Sequence, residues 1–256
     1  MMRLVVALAL AAAASSVMVV APGAGEARFR DANGFARGGD YPKAIAIYSE
    51  LAASGAESAS LYWNWAQASR ARGASGEALW ALLRARELEP GEPALERLIE
   101  EVRAELSLDA AELSPEPLAA VARFARRFAL GGWATALAVF SLLAHAMARL
   151  ARAPRARLAA AITAGLALAA SAAPLAGALA RPLGVVVRRG APLLPAASPT
   201  AEASGALREG EVVPLLGRSA GYVRIEDSSG ARGWALVDDV RGLDEAPPAP
   251  KRASGS

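Results

Sequence analysis

Few side chains in this sequence are equipped for chemistry. There is no cysteine, so disulfides, thiolate metal sites and cysteine nucleophiles are excluded. The one histidine, His145, falls inside an apolar run where a Ser-His-Asp triad has no place to assemble. A carboxylate-only hydrolase is the remaining enzymatic option, since carboxylates alone can serve acid–base catalysis. The expectation is a non-enzymatic chain without metal or cofactor. What remains are groups suited to recognition: Asn33, Arg37, Asn64 and Gln67 toward one end, Tyr222 and Trp234 toward the other. An amide donates and accepts at once, which matches a peptide bond. The plainer reading makes Asn33 and Asn64 ordinary polar surface or internal hydrogen-bonding groups, and Tyr222 and Trp234 parts of a small core or its rim.

The net charge of +3 is unevenly placed. Residues 27–105 carry 10 basic and 12 acidic side chains, residues 184–256 carry 9 and 9, and residues 106–183 carry 8 and 3. Neither outer segment has the one-sided basic footprint that phosphate binding needs, so nucleic acid is excluded as a partner.

The elements that must position the recognition residues begin with a repeat. Within 27–106, matches recur at an offset of 34: Ala32 with Ala66, Gly39 with Gly73, Ala44 with Ala78. Tyr48 matches Leu82, Leu51 matches Ala85, and Pro90 closes the second unit. The pattern resembles the tetratricopeptide repeat, in which small residues sit where two antiparallel helices touch. Helices are expected at 28–37, 41–53, 58–71 and 76–88, with Gly39 and Gly73 in the turns. Residues 93–106 supply an amphipathic cap through Leu95, Leu98, Ile99, Val102 and Leu106. The resemblance implies a groove holding an extended peptide, with Asn33 and Asn64 at positions where peptide-binding members use asparagines. Phe29, Ala94 and Leu98 stand where those members carry cations, which argues against a carboxylate clamp. Trp63, Trp65 and Trp80 read as packing residues from their helical spacing.

Two long apolar runs follow, at 128–148 and 158–180, joined by a nine-residue loop with four arginines. Each is long enough to cross a bilayer, and the expectation is a two-helix transmembrane hairpin with its arginine loop cytoplasmic. Along the second run, Ala161, Gly165, Ala169, Ala173 and Gly177 form a small-residue stripe suited to close helix contact or to lipid. At the N-terminus, a positive start, an apolar run and small residues read as a secretory signal cleaved after Ala27 or near Gly23, with an uncleaved anchor as the alternative. Both outer modules are therefore expected on the periplasmic face of a bacterial inner membrane.

Past Pro182, short β-rich runs alternate with turns: 185–187, 206–216, 222–225 and 233–237. Gly233-Trp234 near the end, and Tyr222-Val-Arg-Ile225 before it, make this segment resemble a bacterial SH3-like domain. The expected fold is thus multi-domain: signal peptide 1–27, α-helical tetratricopeptide repeats with cap 28–106, linker helix 107–127, transmembrane hairpin 128–181, a small all-β SH3-like barrel 182–243 and a disordered tail 244–256. This order of parts resembles the BatE-like TPR–SH3 membrane proteins of the bacterial aerotolerance (Bat) operon. Two segments carry the likeness: Gly39-Asp40-Tyr41-Pro-Lys-Ala44-Ile45-Ala-Ile-Tyr48 and Leu61-Tyr62-Trp63-Asn64-Trp65-Ala66-Gln67-Ala68. It implies a membrane-anchored scaffold whose partners are membrane-anchored von Willebrand A-domain proteins and a MoxR-type ATPase system. The alternative expectation is a cell-wall receptor whose barrel binds peptidoglycan.

Overall fold

The computed structural model describes residues 23–109, 121, 130–150 and 154–244. Most of the expected signal segment and linker helix, and the tail from 245 onward, lie outside the described residues. Seven helices are described: α1 (Ala24–Arg37), α2 (Tyr41–Ala53), α3 (Ala59–Ala71), α4 (Ser75–Leu88), α5 (Pro93–Glu105), α6 (Leu130–Leu150) and α7 (Pro154–Leu179). The first therefore starts four residues before the expected 28. Seven strands follow: β1 (Leu183–Val186), β2 (Pro192–Leu193), β3 (Gly205–Ala206), β4 (Val212–Ser219), β5 (Tyr222–Glu226), β6 (Arg232–Leu236) and β7 (Val240–Gly242).

Helices α1 to α5 pack in sequence order, each against the next. The turn after α1 and the turn after α3 place a glycine at positive φ, Gly39 at 82° and Gly73 at 80°, where a side chain would be strained. Both turns close alike. The Gly39 amide donates to the Ala36 carbonyl at 3.1 Å and the Gly73 amide to Arg70 at 2.9 Å. Asp40 then starts α2 by accepting from the Lys43 amide, and Ser58 starts α3 by accepting from Leu61. The small residues Ala32, Ala44, Ala66 and Ala78 are all fully or almost fully buried at helix contacts.

The start of α4 follows a different rule. Its N-cap residue, Ala74, has no capping side chain. The Gly76 amide instead donates to Glu209 Oε1 at 2.7 Å, a carboxylate 133 positions away on the turn before β4. A negative charge at a helix N-terminus is stabilising wherever in the chain it originates. A side chain at position 76 would meet the Glu209 Cγ at 2.6 Å, so glycine is what lets the carboxylate approach.

Strands β6-β5-β4-β1-β7 form one antiparallel sheet, and β2 pairs with β3 beside it. The expected runs at 185–187, 206–216, 222–225 and 233–237 overlap β1, β4, β5 and β6, and the second also reaches Ala206 of β3; β2 and β7 lie outside them. Alternation along a strand sends successive side chains to opposite faces. In β1, Leu183 and Val185 join the core of the helical stack, while Val186 joins a second core with Val213, Val223, Ile225, Ala235 and Val240. In β4 the neighbours Val212 and Val213 divide in the same way. The sheet is thus buried on both faces at its centre. Gly184 lies at that centre, where a side chain would meet Leu215 at 2.8 Å and Val240 at 3.0 Å.

The two outer modules are therefore one body, a relation not expected from two modules joined through a membrane. Helix α4 lies between them and is buried on nearly every side, from Gly76 to Leu83 without interruption. Trp80, fully buried, donates from Nε1 to the Gly242 carbonyl at 3.0 Å. Arg84 donates to the Leu243 carbonyl and holds Glu57 at 2.8 Å. Gly210, at φ 82°, sits so close to Leu106, Leu108 and Leu79 that a side chain would meet the first at 2.5 Å.

The expected transmembrane hairpin at 128–181, and with it the inner-membrane placement, is corrected. Among the described residues, no helix is long and apolar enough to cross a membrane. Lack of charge is not the same as apolarity: twelve of the 26 residues of α7 are alanine, and the helix begins Pro-Arg-Ala-Arg. Alanine contributes far less transfer free energy than leucine or isoleucine because it buries less surface. In α6 the sequence is diluted by Gly131, Gly132, Thr135, Ser141, His145 and Arg149. The two helices pack on each other through Ala134, Ser141 and Ala167, which are buried. Of the small-residue stripe, Ala161, Gly165 and Ala169 are exposed rather than buried against α6, as are Trp133, Phe140 and Leu168.

Glu77 is the charged centre of the α4 contact. Its carboxylate, 5% exposed, accepts from Arg241 at 2.7 Å, from Arg72, and from Trp65 Nε1 at 3.2 Å. The Arg241 guanidinium also lies 5.0 Å from the Trp80 ring centre. Burial pushes the Glu77 carboxyl up, but Arg241 and Arg72 more than reverse this and hold it below the usual carboxylate range. A lowered folded-state value stabilises the fold above the unfolded value, ordinarily 4.5, and that stabilisation disappears as pH falls through the folded value. Urea unfolding should therefore show a stability loss below about pH 4.5 that is shallower in Glu77→Gln. Trp80→Ala should lower stability by about 3–5 kcal/mol, with helical and β signals lost together in one urea transition.

Candidate functional site

The four candidate recognition residues of the helical stack line one groove. Asn33 and Arg37 come from α1, Asn64 and Gln67 from α3, and Tyr41 and Tyr48 of α2 complete a cavity of about 470 Å³. The helical period explains the convergence. Positions 33 and 37 are four apart, 64 and 67 three apart, so each pair shares one face of its helix.

The amides are locked by their own hydrogen bonds. The Tyr48 hydroxyl donates to Asn33 Oδ1 at 2.7 Å, and Asn64 Nδ2 donates to the same oxygen at 3.0 Å. Asn33 Oδ1 is thereby occupied twice. The NH₂ of Asn33 and the carbonyl of Asn64 take no part in these bonds, which leaves one donor and one acceptor among the residues that line the cavity. A peptide group offers the complementary acceptor and donor. Holding the amides in place beforehand reduces the entropy lost when a ligand binds. Arg37 and Gln67 are exposed at the rim. Internal bonding and ligand binding, read as alternatives from the sequence, are compatible here because each amide has one end to spare.

Tyr48 anchors this arrangement from below. It is fully buried, 6.0 Å from the Phe29 ring. Burial pushes its phenol up to about 12, against a smaller opposing effect of Arg37.

The tryptophans divide between two roles. Trp65 and Trp80 are buried and meet edge-on at 5.1 Å, with Tyr62 stacked on Trp65 at 5.9 Å. Trp63 is half-buried, packs on the helical core with part of its ring, and lines a second cavity of about 310 Å³ between α3, α4 and α5. Asn64 lines both cavities. Reasoning from sequence missed Glu89 and Glu92, which stand at the second cavity. Their signal was available: two acidic residues around the turn that aligns with the open end of the repeat.

The candidates in the sheet are not brought into either cavity. Tyr222 is buried at the start of β5, between Ser219 of β4 and Leu236 of β6. Trp234, in β6, is half-buried, and its backbone exchanges two hydrogen bonds with Leu194, at 2.7 and 2.8 Å. His145 is exposed on α6.

Comparison of the chain with family models, with curated proteins and with solved structures finds no match. The functional reading therefore stands on the geometry.

Because the phenol of Tyr48 is raised, it contributes stability that is complete below the ordinary value of 10.0 and is lost as pH rises toward about 12. Tyr48→Phe should remove that alkaline component in urea titrations at several pH values. At neutral pH it should cost about 1 kcal/mol, the net worth of one buried hydrogen bond.

Proposed function

We propose that this chain is a non-catalytic scaffold that holds an extended protein segment in the groove between α1, α2 and α3. The observation that supports this reading is the Asn33–Asn64 pair. Each amide is fixed by a bond to a neighbour and keeps one group to offer, so the pair presents a passing backbone with one donor and one acceptor. The recognition is of backbone, with sequence preference left to the rim, where Arg37 supplies a cation.

In this scheme the sheet has a supporting role. By capping α4 and sharing the core of the stack, it keeps α3 rigid against the groove. Affinity then comes from a preformed surface rather than from one ordered on binding.

The experiment is capture of short random linear peptides by the full chain, read by fluorescence anisotropy. Asn64→Ala is the informative variant, since Asn33 also serves the Tyr48 hydroxyl. It should weaken binding by about fivefold to tenfold, the value of one hydrogen bond to a peptide group, with unchanged circular dichroism. Equal binding by Asn64→Ala and the parent chain would remove the groove assignment.

A further inference from the structure

We propose that the cavity between α3, α4 and α5 is a second subsite of the same groove, which takes the guanidinium or ammonium side chain of the bound segment. This rests on the groove reading and adds a ligand class to it. The floor of the cavity is apolar, formed by Ala85 and Leu95, and one wall is the half-buried ring of Trp63. Its mouth carries two exposed carboxylates, Glu89 and Glu92. No basic side chain lines it. An arginine or lysine has the matching anatomy. Its methylene stem covers apolar surface while its charged head reaches the aromatic face and the carboxylates.

The two helix ends at this place do not alter the sign. The C-terminus of α4 at Leu88 and the N-terminus of α5 at Pro93 are neighbours in the chain, and their end charges are opposite. Glu92 accepts from the Ala94 amide at 3.4 Å, answering the positive end of α5 with a single oxygen. The volume of about 310 Å³ accommodates one long side chain rather than a folded partner.

Continuity with the first cavity turns the subsite into a polarity rule. Asn64 belongs to both, so a segment crossing it meets Arg37 on one side and Glu89 and Glu92 on the other. The first cavity is lined by a cation and by no acid, the second by acids and no cation. A bound segment is therefore oriented with its cationic residue toward α5 and an acidic residue toward α1.

The test uses the full chain and N-acetylated, fluorescein-labelled random linear peptide pools in which one position is fixed as Arg, Lys, Ala or Glu. Arg and Lys pools should bind about tenfold tighter than the Ala pool, and the Glu pool weaker still, as expected for a cation on an aromatic face with two partly screened carboxylates. The double variant E89Q/E92Q should abolish the preference yet keep the Ala-pool affinity, and W63L should reduce the preference in part. Binding of all pools without preference, still weakened by Asn64→Ala, would overturn the cation subsite and leave the groove in place. A preference that survives E89Q/E92Q would also overturn it. Failure of every pool to bind would overturn both readings.

Discussion

The enclosure of α4 is the constraint from which the rest of the structure follows. A helix buried on nearly every side must be enclosed by other elements, and Ser75–Leu88 is such a helix, buried from Gly76 to Leu83 without interruption. One side meets α3 and α5, the other meets β1. Four of the polar groups it carries inward are answered from the sheet and its flanking turns: Glu77 by Arg241, Trp80 by the Gly242 carbonyl, Arg84 by the Leu243 carbonyl and the Gly76 amide by Glu209, while Arg86 pairs with Glu96 of α5. A buried carboxylate without a counterion is costly, and so is an unpaired indole or amide. The sheet is thus a structural requirement of the stack, and the stack of the sheet.

That mutual dependence explains why the groove can be a precise surface. Asn64 lies on α3, directly before Trp65, whose indole donates to Glu77 and packs on Trp80. A single line of contacts runs from the sheet through Arg241, Glu77 and Trp65 to the amide that lines both cavities. Close-packed contacts of this kind transmit displacement rather than absorb it.

Much of the helical part was legible because its information is local. The spacing of Gly39 and Gly73, the cap at Asp40 and the buried alanines at 32, 44, 66 and 78 each follow from rules that act within a turn or two. Asn33, Arg37, Asn64 and Gln67 come together for the same reason, since helical periodicity puts them on facing sides. The cap of α4 was not legible, because Glu209 is 133 positions distant and nothing near Ala74 points to it. The docking of stack on sheet was hidden in the same way, although one signal existed: the valine run at 185–187, too apolar for a strand with one wet face. The membrane expectation failed for a different reason. Length without charge is not enough to cross a bilayer when the second run is more than half alanine and glycine and the first is diluted by polar residues.

Leu108 and Leu183 lie in one buried cluster although the entire α6–α7 hairpin separates them in the chain. The hairpin is accordingly an excursion that leaves the folded body and returns to it. Closing such a loop costs entropy that grows only with the logarithm of its length, by about 0.6 kcal/mol per doubling, so equilibrium stability tolerates the detour. Kinetics is less forgiving. Trp80 must find Gly242 across 162 positions before α4 is enclosed, and folding slows as contacting residues lie farther apart in sequence. Until that meeting occurs, the most deeply buried helix of the stack has one flank in water, and the nascent chain carries it exposed for as long as the last strand is still being made.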